Sequence, residues 1–175
     1  MKSFITNLNV YFKRLFSCRE QVLGKLLIDK NLTISTAESC TGGLLSSRLT
    51  DVSGSSAYIF KNFITYSNEA KTEILGVRRD TLAQYGAVSE QCAYEMAQGL
   101  HNVTGCDITI GITGIAGPDG GTPEKPAGTV WVAVALPDGS TLSTRFCFNS
   151  TRRNINIERF ASNALNFLRL QLIKQ

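Results

Sequence analysis

A chain of 175 residues, 43% of them hydrophobic, suits one domain that buries about 70% of the surface its unfolded form exposes, so neither a disulfide nor a metal is needed to hold it together. The formal charge of +4 lies in residues 1–30, which carry six basic and two acidic side chains against twelve of each sign in the rest, and this excludes a nucleic-acid surface, which concentrates Lys and Arg. No apolar run reaches the ~18 residues of a membrane span, and five scattered cysteines without a CxxC pair point to a reducing cytoplasm and away from a zinc site.

Residues 1–20 read as a basic amphipathic helical extension and residues 21–175 as the domain. Apolar positions Phe4, Leu8, Tyr11, Phe12 and Leu15, then Val22, Leu26 and Leu27, recur at helical spacing and predict one long or two consecutive helices, stopped near Lys30 and Asn31. The start lacks a signal-peptide cleavage site. Its basic face suits solvent first, and an acidic partner or membrane surface second, without stable insertion.

Thr33 to Gly43, TISTAESCTGG, begins as a β-branched run and reaches a Gly-Gly pair before the apolar-periodic segment Leu44 to Val52. The pattern predicts strand, tight turn, helix. The first N–H groups of a helix lack intrahelical partners, so the turn suits an anion or a developing oxyanion. Ser39, Cys40 and Thr41 bring hydroxyl and thiol groups to the same point, and Gly42 and Gly43 let a ligand approach the backbone. The same residues also suit a plain capped helix start after a buried strand.

After a loop over 51–56, the second half of AYIFKNFITY, Ala57 to Tyr66, reads as a strand, and Ser67 or Asn68 caps a helix that closes at Gly76. Tyr66 and Lys71 then stand five residues apart across that junction. Either they bring a phenol and an ammonium to one rim, or they are a strand-end packing residue and a surface lysine. Thr81 to Tyr85 is a short helical piece, and Ser89 caps an amphipathic helix from Glu90 to His101. His101 is the sole histidine and sits where a helix C-terminus favours positive charge, which disfavours Ser-His-Asp and Cys-His schemes.

Asp107 to Thr113 alternates as a strand and runs into GIAGPDGG, Gly114 to Gly121, four glycines and a proline that specify a defined loop. Two glycine-rich turns at the carboxyl ends of strands suggest one ligand crevice in an open α/β sheet. Gly128 to Leu136 and Thr141 to Phe148 form a hairpin across Pro137 to Ser140, and Arg152 to Leu172 closes the chain as a helix. The fold expected is a single-domain α/β/α sandwich with a mixed, mostly parallel sheet and an antiparallel hairpin near the C-terminus.

TAESCTGG, ITYSNEAK, GAVSE, GITGIAGPDGG and KPAGTVWVA together resemble the C-terminal domain of the competence/damage-inducible protein CinA and its free-standing relatives, the nicotinamide-nucleotide amidases. The resemblance spans about Leu23 to Leu172, and the metal-dependent N-terminal domain of longer members is not part of it. It implies hydrolysis of the carboxamide of nicotinamide mononucleotide to nicotinate mononucleotide and ammonia, with no cofactor or metal, in a cytoplasmic homodimer. Ser39 matches the family's nucleophile, and Tyr66 and Lys71 match its tyrosine and lysine, a pair that would share one proton. N–H groups near Cys40 to Gly43 would hold the oxyanion. The substrate's ribose and phosphate would lie against Thr113, Gly114, the loop through Gly117 to Gly121, and Arg152.

One departure concerns the family's Gly-Asp-Arg followed four residues later by a second Arg. Here the positions are Ser150, Thr151, Arg152 and Asn156, so only Arg152 is retained. Cys40 is an alternative nucleophile without a histidine near it in sequence. The competing readings are a nucleotide- or protein-binding module without amidase activity, and a serine hydrolase of another amide or ester.

Overall fold

The computed structural model describes residues 19–174, so most of the extension expected over 1–20 lies outside the described residues. Helix α1 covers 19–29 of them and stops at Asn31, whose left-handed backbone (φ 53°) turns the Leu32 N–H back onto Leu27 O at 2.9 Å. There follow β1 (Ile34–Glu38), α2 (Leu44–Thr50), a 3₁₀ turn (Ser55–Ala57), β2 (Phe63–Ile64), α3 (Asn68–Leu75), α4 (Arg79–Tyr85), α5 (Glu90–Thr104), β3 (Ile108–Gly114), β4 (Thr129–Ala135), β5 (Thr141–Cys147) and α6 (Arg153–Lys174). No helix among the described residues is long and apolar enough to cross a membrane.

The sheet order is β2-β1-β3-β4-β5. β1 pairs parallel with β2 and β3, and the β3/β4 and β4/β5 pairs are antiparallel, so four strands run one way and β4 alone runs against them. β3 shows how its alternation divides the core. Ile108, Ile110 and Ile112 pack with Leu23 and Leu27 of α1, Leu45 and Leu49 of α2, and Phe160, Leu165 and Leu168 of α6. On the opposite face the Thr109 hydroxyl donates to Ala97 O of α5 at 2.7 Å, while Ala93 and Ala97 rest on Ala133 of β4. Small side chains on both surfaces let α5 approach closely. Helices thus cover both faces, as expected.

A buried ion pair ties the α1/α2/α6 layer together. The Arg48 guanidinium donates to Glu20 Oε1 and to Ser162 Oγ, joining three helices at one point. Glu20, drawn on the extension side of the boundary at 20/21, is therefore buried within the domain.

Two further features differ from the expectation. β2 is only two residues long, because the Asn62 side chain takes the Thr36 N–H at 2.9 Å and only an isolated bridge joins Ile59 to Ile34. α5 runs three residues past His101 and ends at Gly105, with His101 in its last turn.

The connectivity places the crevice. From β1 the chain crosses through α2 to β2 on one side, then through α3 to α5 to β3 on the other, so neighbouring strands leave β1 in opposite directions. Gly99 sets how closely α3 lies to α5: a Cβ there would stand 1.7 Å from Leu75 O, a backbone atom. Gly99→Ala should lower stability by about 1–3 kcal/mol in chemical denaturation, and an unchanged midpoint would show that α3 and α5 are not in rigid contact.

Candidate active site

Glu38 ends β1, and its carboxylate points into the start of α2. It accepts the N–H groups of Gly43 (3.0 Å), Leu45 (3.0 Å) and Ser46 (2.7 Å) and the hydroxyls of Thr41 (2.7 Å) and Ser46. Helix amides otherwise left without partners are thereby satisfied from within the chain. Left-handed backbone at Gly42 (φ 60°) and Gly43 (φ 99°) allows the reversal that aims them at Glu38. This corrects the expectation that Gly43 would offer its amide to a ligand. Gly42 N–H is likewise taken, by Ser39 O at 3.1 Å. The amides of Cys40 and Thr41 make no hydrogen bond to other described residues.

Ser39 sits on the outer lip of this turn. Its N–H extends the β1/β3 ladder by donating to Ile112 O at 3.1 Å, and Thr65 N–H donates to Glu38 O at 2.8 Å on the other side. The nucleophile candidate thus lies between the carboxyl ends of β2 and β3, and the residue is 8% exposed. The convergence of the two glycine-rich turns expected from the sequence is realised by the parallel pairing of β1 with β3.

Lys71 enters from α3. Ser67 caps that helix by accepting the Ala70 N–H at 3.1 Å, which fixes the first turn directly after β2. Side chains lean toward a helix's N-terminus, so Lys71 reaches back over the chain it follows. Lys71 is 1% exposed, and its Nζ donates to Ser39 Oγ at 3.1 Å, Thr65 O at 2.9 Å and Tyr66 O at 3.1 Å, with Ser67 O farther off at 3.5 Å. Burial holds its pKa below the ordinary lysine value, and no carboxylate lies within salt-bridge reach of it among the described residues.

The Tyr66 phenol does not meet that ammonium. The contact expected between Tyr66 and Lys71 is made by the tyrosine's carbonyl, while the ring turns outward, 60% exposed, and its hydroxyl accepts from Arg153 Nη2 at 3.1 Å. Arg153 Nη1 also donates to Gly117 O at 3.1 Å. Arg152, the arginine expected here, is exposed, with its own N–H on Ser150 Oγ at 3.2 Å. Arg152 lies just before α6, which begins at Arg153, and of the two exposed arginines it is Arg153 whose guanidinium reaches the Gly117 loop and Tyr66.

The remaining residues are placed as follows. Cys40 packs into the core, and burial pushes its thiol up to about 12, which disfavours the thiolate a cysteine nucleophile needs. The Thr41 hydroxyl is committed to Glu38 and the Thr113 hydroxyl donates to Ala87 O at 2.8 Å. Gly114 lets β3 and β4 approach, since a Cβ would stand 2.6 Å from Thr129 O. Asn156, at the position of the missing second arginine, is buried and donates through Nδ2 to Ala116 O and Ser150 O, both at 2.9 Å, tying the Gly117 loop to the start of α6. His101 lies by Cys106 before β3, at the opposite end of the sheet from Ser39. Among the described residues no group of three His, Cys, Asp or Glu side chains is placed to hold a metal ion.

Glu38 and Lys71 are therefore the two charged side chains that build the site from inside. Glu38→Gln replaces an acceptor by a donor facing buried N–H groups, each costing about 1–3 kcal/mol when unsatisfied. The variant should lose at least about 2 kcal/mol of stability, measured by urea denaturation; a loss under about 0.5 kcal/mol, the range of an ordinary surface substitution, would show that the carboxylate does not hold the turn.

The family profile of the CinA C-terminal domain matches residues 17–172. A CinA-like protein of Chloroherpeton thalassium is 52% identical over 152 residues, 86% of this chain and 36% of the relative. A second, from Desulforapulum autotrophicum, is 49% identical over 156 residues, 89% of this chain and 37% of the relative. The chain thus spans a little over a third of the curated relatives it matches. Solved structures agree in fold: competence/damage inducible protein CihA of Agrobacterium tumefaciens superposes with a TM-score of 0.86 at 37% identity, covering 90% of this chain and 94% of that one. A CinA superfamily protein of Klebsiella pneumoniae gives 0.87 at 35% identity, covering 91% and 99%. On sequence, on fold and on the motifs that meet around Ser39, the chain belongs to the CinA C-terminal domain family.

Proposed function

We propose that the protein is a nicotinamide-nucleotide amidase, a cytoplasmic enzyme that hydrolyses the carboxamide of nicotinamide mononucleotide to nicotinate mononucleotide and ammonia in pyridine nucleotide recycling. The observation that carries this reading is the buried Lys71 Nζ, 3.1 Å from Ser39 Oγ. A serine hydroxyl needs a positioned base to act as a nucleophile. Of the four acceptors around the ammonium, the three nearest take its three protons, and Ser67 O stands farther away at 3.5 Å. When the ammonium loses one proton, the other two remain on the carbonyls of Thr65 and Tyr66, and the freed lone pair faces the serine hydroxyl. The two carbonyls hold the amine in place in both protonation states.

In this scheme Lys71 takes the proton from Ser39 as Oγ bonds to the amide carbon, and the carbonyl oxygen becomes an oxyanion near the Cys40 and Thr41 amides. One such donor is typically worth about 3 kcal/mol. Lys71 then gives its proton to the amide nitrogen as the C–N bond breaks, and ammonia leaves an ester on Ser39. Water attacks that ester with Lys71 again as base, and Ser39 leaves as the alcohol. Lys71 is the base in this reading, and Tyr66 lines the entrance. The ribose and phosphate extend over Thr113, Gly114 and Gly117, and two copies of the chain form a homodimer.

Ammonia release from nicotinamide mononucleotide should be abolished in Ser39→Ala and reduced at least ~100-fold in Lys71→Arg, whose guanidinium stays charged; undiminished release from Ser39→Ala would reject the nucleophile. Because burial lowers the Lys71 pKa and the neutral amine is the active form, kcat/KM should rise with pH through a midpoint below the ordinary lysine value. A rate that falls across that range would assign the essential group the opposite protonation state.

A further inference from the structure

The hydrolytic scheme leaves one cation on the rim of the site unused. Arg153 is exposed, yet it is held at two points: Nη1 on Gly117 O and Nη2 on the Tyr66 hydroxyl, each at 3.1 Å. Those anchors come from opposite sides of Ser39. Tyr66 follows β2 and Gly117 follows β3, the strands that flank β1. Both acceptors are uncharged, and no carboxylate among the described residues lies within salt-bridge reach of the guanidinium. Its positive charge is therefore not neutralised by any described residue. It is also near enough to Cys40, the neighbour of Ser39, for that charge to act on the thiol.

A guanidinium carries five N–H donors in a planar fork, and two are spent on the anchors. The others stay available to an oxyanion, which a planar fork takes in bidentate fashion and an ammonium does not. Lys71 cannot serve this purpose, since its Nζ is buried and its protons are committed to Ser39 and two carbonyls.

We propose that Arg153 is a specificity-determining residue that takes the phosphomonoester of a ribose 5-phosphate substrate, with Tyr66 as the positioning residue that holds its guanidinium across the crevice. This rests on the amidase reading for the identity of the substrate, but the anion site stands on the geometry of Arg153. It assigns the Tyr66 hydroxyl to substrate selection and leaves the proton transfer to Lys71. It also gives the phosphate a cation that neither exposed Arg152 nor buried Asn156 supplies.

The test compares nicotinamide mononucleotide with nicotinamide riboside, which has the same amide and no phosphate. Arg153→Ala should raise KM for the mononucleotide roughly 10- to 100-fold, the worth of a charged hydrogen-bonded contact, with kcat within about twofold and KM for the riboside unchanged. Arg153→Lys should recover only part of the loss, since it restores charge without the fork. Equal losses on both substrates would make Arg153 a structural tie between Tyr66 and Gly117 and overturn the proposal, as would an unchanged KM for the mononucleotide. If the wild type releases no ammonia, the amidase reading fails and calorimetric titration with ribose 5-phosphate decides: binding by wild type and not by Arg153→Ala supports the anion site, and any other pattern overturns it.

Discussion

The Glu38 carboxylate, closed over the first amides of α2, is the interaction on which the rest of the site depends. A helix that begins directly after a buried strand leaves N–H groups pointing at the sheet's end, and water cannot reach them all. Glu38 satisfies three of these amides and the Thr41 and Ser46 hydroxyls. The turn between strand and helix is thereby fixed, and Ser39 is the buried residue that opens it. An arrangement that first suggests an anion-binding helix terminus is already occupied by the protein's own anion. Beside it stand Ser39 and the amides of Cys40 and Thr41, which make no hydrogen bond to other described residues.

Around that turn, two cations have opposite fates because their surroundings differ. Lys71 is enclosed by Ser39 and backbone carbonyls with no carboxylate in salt-bridge reach among the described residues, and burial disfavours its charge. Arg153 stands in solvent, where a guanidinium keeps its proton at any physiological pH. One is suited to exchange a proton and the other to present a permanent charge. The topology brings them together, since α3 follows β2 and α6 packs back across the sheet onto the loop that follows β3.

Much of this was legible in the sequence. The strand-turn-helix at Thr33 to Gly43, the caps at Ser67 and Ser89, the stops at Asn31 and Gly76 and the β4/β5 hairpin all rest on local chemistry, and each appears in the fold. Juxtaposition of the two glycine turns followed from the rule for carboxyl ends of parallel strands. What was missed depends on tertiary partners. A carboxylate at the end of a buried strand has no local reason to be there until α2 folds over it. Tyr66 and Lys71 are close in sequence, but strand alternation sends the ring out while the helix sends the amine in, so they meet through a carbonyl. Of two adjacent arginines, only the tertiary contacts of Arg153 with Gly117 and Tyr66 tell which faces the crevice. β2 shrank because Asn62 substitutes a side-chain oxygen for a strand carbonyl.

The central claim is that Ser39 forms a covalent ester with the substrate, assisted by a buried amine. Mass spectrometry of the intact protein, acid-quenched during turnover of nicotinamide mononucleotide, tests it most directly. A fraction of the protein should be heavier by the mononucleotide less ammonia, with the added mass on the peptide containing Ser39 and absent from Ser39→Ala. Turnover with the adduct on another residue, or an adduct that persists in Ser39→Ala, would contradict it.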